Sequence, residues 1–301
     1  MTHHHGLRSV TVDDLQRLDR GFHEAFRRGR SDDLEVIGYG EVSAIVAWPT
    51  PAGTAVCKRL PPIADRASLI RYEALLRDYL AALEAAGVSV VPTSIASVPQ
   101  SDGSLGAYVL QPLVDEADLV TNALRQADPS RAATIFDEVF EAIESVAGTG
   151  VGLDAQLSNW AIPSGKLVYL DVTTPLLRDE AGRHRLDTAL FLASLPWALR
   201  RLTERFLVDS LIDAYFSVRT VIVDLLGNLI KERHRAWIPL GIARANLRVE
   251  RAITVEEVER YYRQNALMWE ALLRLRRIDR AWQIKVRRRP YPFLLPGKIE
   301  R

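Results

Sequence analysis

The chain has 301 residues, 48% hydrophobic and 26% charged, with a net charge of +1, the proportions of a soluble globular protein of about two domains or lobes. That balance makes no global case for nucleic acid, and one cysteine, Cys57, excludes an internal disulfide and fits a reducing cytoplasm. The opening M-T-H-H-H-G-L-R lacks an apolar signal core, and the long apolar stretch 206–230 carries Asp209, Asp213, Arg219 and Asp224, so neither secretion nor a membrane span is indicated.

In chain order, Thr11 and Asp14 form a capping pattern for a helix ending near Arg28, where Gly29 supplies a stop. Strands follow over 34–39, 41–48 and 54–59, the first two flanking G-Y-G. Leu69, Tyr72, Leu76, Tyr79 and Leu83 recur at spacings of three and four, which predicts a helix over 65–86 stopped by Gly87. Residues 88–98 and 106–113 read as two more strands. Beyond Val114 the pattern turns helical: 117–126, then 128–147 opened by Asp128-Pro129. A short hairpin follows, with strands over 159–162 and 166–171 turned by Pro163-Ser164-Gly165. The rest is helical by period over 186–206 and 207–233, with a pair of helices over 254–286.

Several residues along this path carry chemistry. The hairpin brings Asp154, Asn159 and Asp171 to one end of a ribbon, where two carboxylates and an amide can hold a divalent cation beside a hydroxyl. Turn formation and strand capping account for the same three residues equally simply. Gly38 and Gly40 sit in G-x-G-x-x-S, which a plain hairpin turn also explains. Val56 and Lys58 share a strand face in A-V-C-K, and Glu73 follows fifteen residues later on the helix. Taken singly, Lys58 and Glu73 read as solvated side chains. His23, His184 and His234 are scattered without ligand spacing, so no zinc site is predicted.

Glycine hairpin, strand lysine, helix glutamate, crossing segment, D-x4-N and an Asp closing a hairpin, in that order, resemble the protein-kinase-like phosphotransferase superfamily, in its aminoglycoside phosphotransferase and choline kinase branch. The resemblance spans roughly 34–175, and R-Y-E-A-L-L-R-D-Y-L around Glu73 also looks like that branch's helix. It implies an α+β, bilobal protein-kinase-like fold: a helical extension (1–33), a small antiparallel-sheet nucleotide-binding lobe with one main helix (34–114), and a larger helical catalytic lobe with extra C-terminal helices (115–301). It implies ATP and Mg²⁺ as cofactors and the following roles. Lys58 would contact the α- and β-phosphates, paired with Glu73. Gly38 and Gly40 would let the backbone close over the phosphates. Ile45 and Val56 would roof the adenine, Ala161 would floor it, and the backbone of Gln111 to Leu113 would bind its edge. Asp154 would be the catalytic base, and Asn159 and Asp171 would bind the metal.

Three positions depart from the family pattern. Gly152-Leu153 stands where a His-Gly or His-Arg brace is usual, Gln156 replaces a basic residue, and Val-Thr-Thr follows Asp171 in place of Phe-Gly. Two functions are therefore carried forward: a small-molecule kinase phosphorylating an alcohol, and a nucleotide-binding pseudokinase serving as an interaction module. The C-terminal stretch 274–301 holds ten Lys or Arg against Asp279 and Glu300, a surplus of eight. It reads as a solvated basic face or, through Arg287 to Arg289 and Tyr291, as an attractor for an anionic acceptor or an acidic partner.

Overall fold

The computed structural model describes residues 10–28, 34–39, 44–50, 53–187, 212–288, 291 and 293–295. Helix α1 (Val12–Arg28) opens with a reciprocal cap: the Asp14 N–H donates to the Thr11 hydroxyl at 3.1 Å, and the Thr11 N–H donates to the Asp14 carboxylate at 3.0 Å. A five-stranded antiparallel sheet follows, in the order β1 (Val36–Tyr39), β2 (Ala44–Thr50), β3 (Gly53–Arg59), β5 (Leu105–Pro112), β4 (Ser94–Pro99). Helix α2 (Arg66–Ala85) connects β3 to β4 and is N-capped by Asp65, whose carboxylate accepts the Ser68 N–H at 2.7 Å.

Strand alternation divides the sheet into two buried faces. One carries Val46, Ala55, Cys57, Tyr108 and Leu110 and packs against Leu15, Leu18, Phe22 and Phe26 of α1. Arg59 locks this layer. Its buried guanidinium lies 4.9 Å from the Phe26 ring centroid and 3.7 Å from Asp19, and its Nε donates to the Tyr108 hydroxyl. Burial also pushes the Cys57 thiol up to about 12, so this cysteine is part of the core and chemically quiet. The opposite face, with Ala107 and Val109, turns toward α2 and joins the larger apolar core.

That larger core is mostly helical. It contains α3 (Val120–Gln126), α4 (Pro129–Ser145), the ribbon β6 (Trp160–Ala161) and β7 (Val168–Tyr169), α5 (Val218–Lys231), α6 (Ile238–Ala245) and α7 (Val255–Lys285). Gly241 permits the close approach of α6, because a Cβ there would stand 2.6 Å from the Leu226 side chain. Arg244 of α6, and Arg248 just beyond its end, bond Asp137 and Glu144 of α4. The architecture is α+β, an antiparallel sheet joined to a mostly helical core.

Several expectations are corrected. The strand read over 88–98 is split at Pro92, which cannot donate to a ladder: Ser94 onward forms β4, while Val90 bridges Tyr169 of the ribbon. The pair of helices read over 254–286 is one 31-residue helix, α7, since no Gly or Pro interrupts it. Helix α6 escapes the periodic reading, because Pro239 and Gly241 disguise it; Pro at a helix start is well tolerated. The helix expected over 186–206 falls largely on residues outside those described. Among the described residues, no helix is long and apolar enough to cross a membrane.

The packing of α1 against the sheet yields a first expectation. Phe22 is 1% exposed, so Phe22→Ala should lower stability by about 3–5 kcal/mol in denaturant unfolding. A loss under about 0.5 kcal/mol would place α1 outside the cooperative unit.

Candidate functional site

The site begins with the register of the central strands. On β3, Lys58 stands opposite Ile45 of β2 and Val109 of β5, and Val56 stands opposite Ala47 and Gln111. Val56, Lys58 and Gln111 therefore share the sheet face that looks away from α1. Lys58 is buried, and its ammonium donates to the Leu170 carbonyl at 3.1 Å and to Asp171 Oδ1 at 3.3 Å. Gln111 adds a second donor, its Nε2 bonding the Leu170 carbonyl at 2.9 Å and Thr93 Oγ1 at 3.2 Å. Two sheet side chains thus converge on the end of the ribbon.

The ribbon is held from several sides. Trp160 pairs with Tyr169 and Ala161 with Val168, while the Pro163–Gly165 turn places Ser164 at φ 53 and Gly165 at φ 81. Val91 N–H bonds the Tyr169 carbonyl and Tyr169 N–H bonds the Ser89 carbonyl, which fastens β7 to the segment before β4. The Leu170 N–H bonds the Asn159 carbonyl at 2.8 Å, and Asn159 Nδ2 donates to the Asp154 carbonyl at 3.0 Å. Asp154, Asn159, Asp171 and Lys58 are thereby joined by one chain of hydrogen bonds.

The electrostatics centre on Asp171. Burial opposes its ionisation, but the Lys58 ammonium and the Thr173 hydroxyl, which donates at 2.8 Å, outweigh that and hold its carboxyl below the usual range. Asp154 is half-buried and receives Gln156 N–H and Nε2 at 3.4 Å each. Beneath the loop, α5 leads into Glu232, which accepts the Ser158 N–H at 3.0 Å; burial raises its carboxyl, against the lowering effect of Ser158.

The other anticipated residues are distributed as follows. Gly38 lies in β1, paired with Ile45 across a register irregularity, and a Cβ there would find ordinary space. Gly40 lies outside the described residues. Ile45 is half-buried and Ala161 fully buried, the latter facing Leu119 by a bridge. Three details refine these expectations. Among the described residues, the ion pair of Lys58 is with Asp171 and not Glu73, because the partly buried carboxylate at the ribbon end lies within its reach while Glu73 stays half-buried on α2. Of the backbone expected at the adenine edge, the Leu113 N–H already bonds the Thr54 carbonyl at 3.1 Å. Tyr291, read with Arg287 to Arg289 as an attractor for an anion, is buried against Phe293.

Sequence reasoning missed the tyrosines that hold the site. Tyr79 donates to the Gly152 carbonyl at 3.0 Å, Tyr169 to the Asp154 carbonyl at 3.1 Å and Tyr72 to the Thr173 carbonyl at 2.9 Å. The signal was present: Tyr72 and Tyr79 lie on the apolar stripe of α2, and a buried phenol requires a partner. The departure at Gly152 also acquires a cause. A Cβ there would stand 2.9 Å from the Leu176 side chain and 3.0 Å from the Phe216 ring, so no larger residue fits.

These features define a polar centre at the junction of an antiparallel sheet and a helical core, with a lysine, two aspartates and an amide in one network. Residues 17–280 match DUF6206, a family of unknown function, and the chain belongs to that family. No curated protein matches the chain. Among solved structures, the crystal structure of a single-site mutant of the Mycobacterium tuberculosis PknI kinase domain is similar over 66% of this chain and 72% of that one, at 15% identity and a TM-score of 0.32.

The charge balance at Asp171 is testable by titration. Its lowered carboxyl means that ionisation favours folding above the unfolded-chain value, and that this contribution disappears as pH falls through the folded value. In Lys58→Met, burial loses its main opponent, so carboxyl-detected NMR should find Asp171 titrating at higher pH than in the wild type. An unchanged titration would mean that Lys58 does not act on Asp171 in solution. Tyr79→Phe should separately cost about 1–3 kcal/mol in denaturant unfolding, because it leaves the buried Gly152 carbonyl without its donor.

Proposed function

We propose that the chain is an ATP-dependent phosphotransferase that moves the γ-phosphate to the hydroxyl of a small molecule, with residues 34–114 as its nucleotide-binding lobe and 115–301 as its catalytic lobe. The observation that carries this reading is the contact of Lys58 on β3 with Asp171, 113 residues away, in one network with Asn159 and Asp154. A buried ammonium beside a carboxylate suits a polyphosphate chain and its cation, and phosphoryl transfer depends chiefly on positioning and charge neutralisation.

Each group then has a task. Lys58 would receive the α- and β-phosphates at the carboxylate it already meets. Asn159 commits its amide nitrogen to the Asp154 carbonyl, which leaves its oxygen as the donor toward a cation. With Asp171 this gives an oxygen-only set, which fits Mg²⁺, an ion that takes one or two carboxylates and completes its shell with phosphates and water. Bound Mg²⁺ would neutralise charge on the phosphates. Asp154, its backbone fixed by Asn159 and Tyr169, would accept the acceptor's hydroxyl proton as general base. Gly38 and Gly40 would cover the phosphates, and Ile45, Val56 and Ala161 would enclose the base. The tyrosine hydroxyls would do the holding that a His-Gly or His-Arg brace does in the kinases the sequence resembles.

A second reading, a nucleotide-binding pseudokinase, draws support from two observations: Lys58 is paired away from Glu73, and the Leu113 N–H is used by Thr54. Mutation separates the two. With Mg²⁺ present, ATP at about a hundred times its dissociation constant should stabilise the fold by about 2.7 kcal/mol. Asp154→Asn should retain that stabilisation while lowering ADP formation with a competent alcohol by roughly 10²–10⁴. Equal ADP formation by wild type and Asp154→Asn would favour the pseudokinase, and a protein that binds no nucleotide would exclude both readings.

A further inference from the structure

Helix α7 begins as a well-anchored element. Thr254 caps it by accepting the Glu257 N–H, and Arg219 of α5 forks Glu257 at 2.8 and 2.7 Å while bonding the Arg251 carbonyl. One face then stays packed: Val258, Arg276 and Asp279 are buried, and Tyr261 and Leu272 lie against the large core. Arg276 stacks its guanidinium 5.3 Å from the Phe293 ring centroid, which pins the C-terminal half of the helix.

The other face is unusual. Met268, Ala271, Leu275, Ile278 and Trp282 follow one another at steps of three, four, three and four, with Leu267 beside them. All are exposed, Leu267 at 69% and Ile278 at 65%. A 3-4 spacing repeats every 3.5 residues on average and forms a straight seam along the helix, the pattern that packs against another helix. The stripe covers sixteen residues, about 24 Å of helix. Its own element explains none of it, since the core-facing side of α7 is already occupied by other residues.

Charge selects the occupant. Arg260 and Arg263 precede the stripe, Arg274 and Arg277 border it, and Lys285 follows it, all exposed, with Arg263 also pairing Glu259 at 3.8 Å. Of the exposed acids on this helix, Glu270, within the stripe, already pairs with Arg274 at 2.7 Å, and Glu256 lies in the first turn, well before it. A second copy of this chain would bring the same cations against themselves. We propose that the exposed face of α7 is a docking surface for an acidic amphipathic helix of a partner protein, whose apolar seam covers Leu267 to Trp282 while its carboxylates meet the flanking arginines and lysine. This is independent of the phosphotransfer reading and makes the basic C-terminal region a helix-recognition element.

The probes are two synthetic heptad peptides with leucine at both seam positions, one carrying glutamate and the other lysine at the flanking positions. Fluorescence anisotropy on the full chain should show the acidic peptide bound about tenfold or more tightly than the basic one, with the difference shrinking as salt rises. Leu275→Asp with Ile278→Asp should weaken the acidic peptide about tenfold or more. Arg274→Glu with Lys285→Glu should invert the preference toward the basic peptide. These positions are exposed, so circular dichroism should show retained helicity; if the seam variant unfolds, the charge-reversal variant decides alone. Equal binding of the two peptides, or binding of neither, overturns the proposal. A dimer in sedimentation that Leu275→Asp with Ile278→Asp dissolves also overturns it, and assigns the face to a second copy.

Discussion

The contact between the Lys58 ammonium and the Asp171 carboxylate is the constraint on which the centre of this molecule depends. Lys58 sits on the middle strand of the sheet, with β2 on one side and β5 on the other, and is buried, so its charge needs a partner. An isolated buried charge costs several kcal/mol, so the ribbon end that supplies Asp171 and the Leu170 carbonyl must come to it. Gln111 strengthens the demand by donating to the same carbonyl. A polar centre and the junction of sheet and helical core are therefore one feature.

The tyrosines show how that junction is kept rigid without additional charge. Tyr72 and Tyr79 point from α2 to carbonyls on both sides of the ribbon, at Thr173 and Gly152. Burial drives their phenols, and that of Tyr169, well above the usual range, so they act as permanent donors at any physiological pH. Neutral donors suit this place, because another cation near Lys58 would raise the desolvation cost. Gly152 follows from the same packing: its carbonyl is needed by Tyr79, and the space beside it is filled by Leu176 and Phe216.

The two long helices at the periphery use opposite strategies. Helix α1 closes one face of the sheet with apolar side chains and a buried Arg59–Asp19–Tyr108 cluster, so its docking is complete within the chain. Helix α7 is fixed by its caps and its inner face but leaves its longest apolar seam outward. A fold that can bury phenylalanines so fully at one edge does not expose Leu267, Ile278 and Trp282 at another for want of core.

Local signals were sufficient for much of this. Period and caps located α1, α2 and α4, because an apolar face and a terminal hydrogen bond are properties of neighbouring residues. The hairpin turn also placed Asp154, Asn159 and Asp171 at one end of a ribbon, and strand alternation placed Val56 and Lys58 on one face. Those inferences needed only chain geometry over a few residues. The partner of Lys58 was a different matter: Glu73 and Asp171 are both carboxylates at plausible positions, and the choice rests on how α2 and β7 pack in three dimensions. The same holds for the split at Pro92, the role of the Gln111 side chain and the burial of Tyr291. Each is decided by contacts between segments far apart in the chain, where sequence supplies the chemical groups and only tertiary packing supplies the distance.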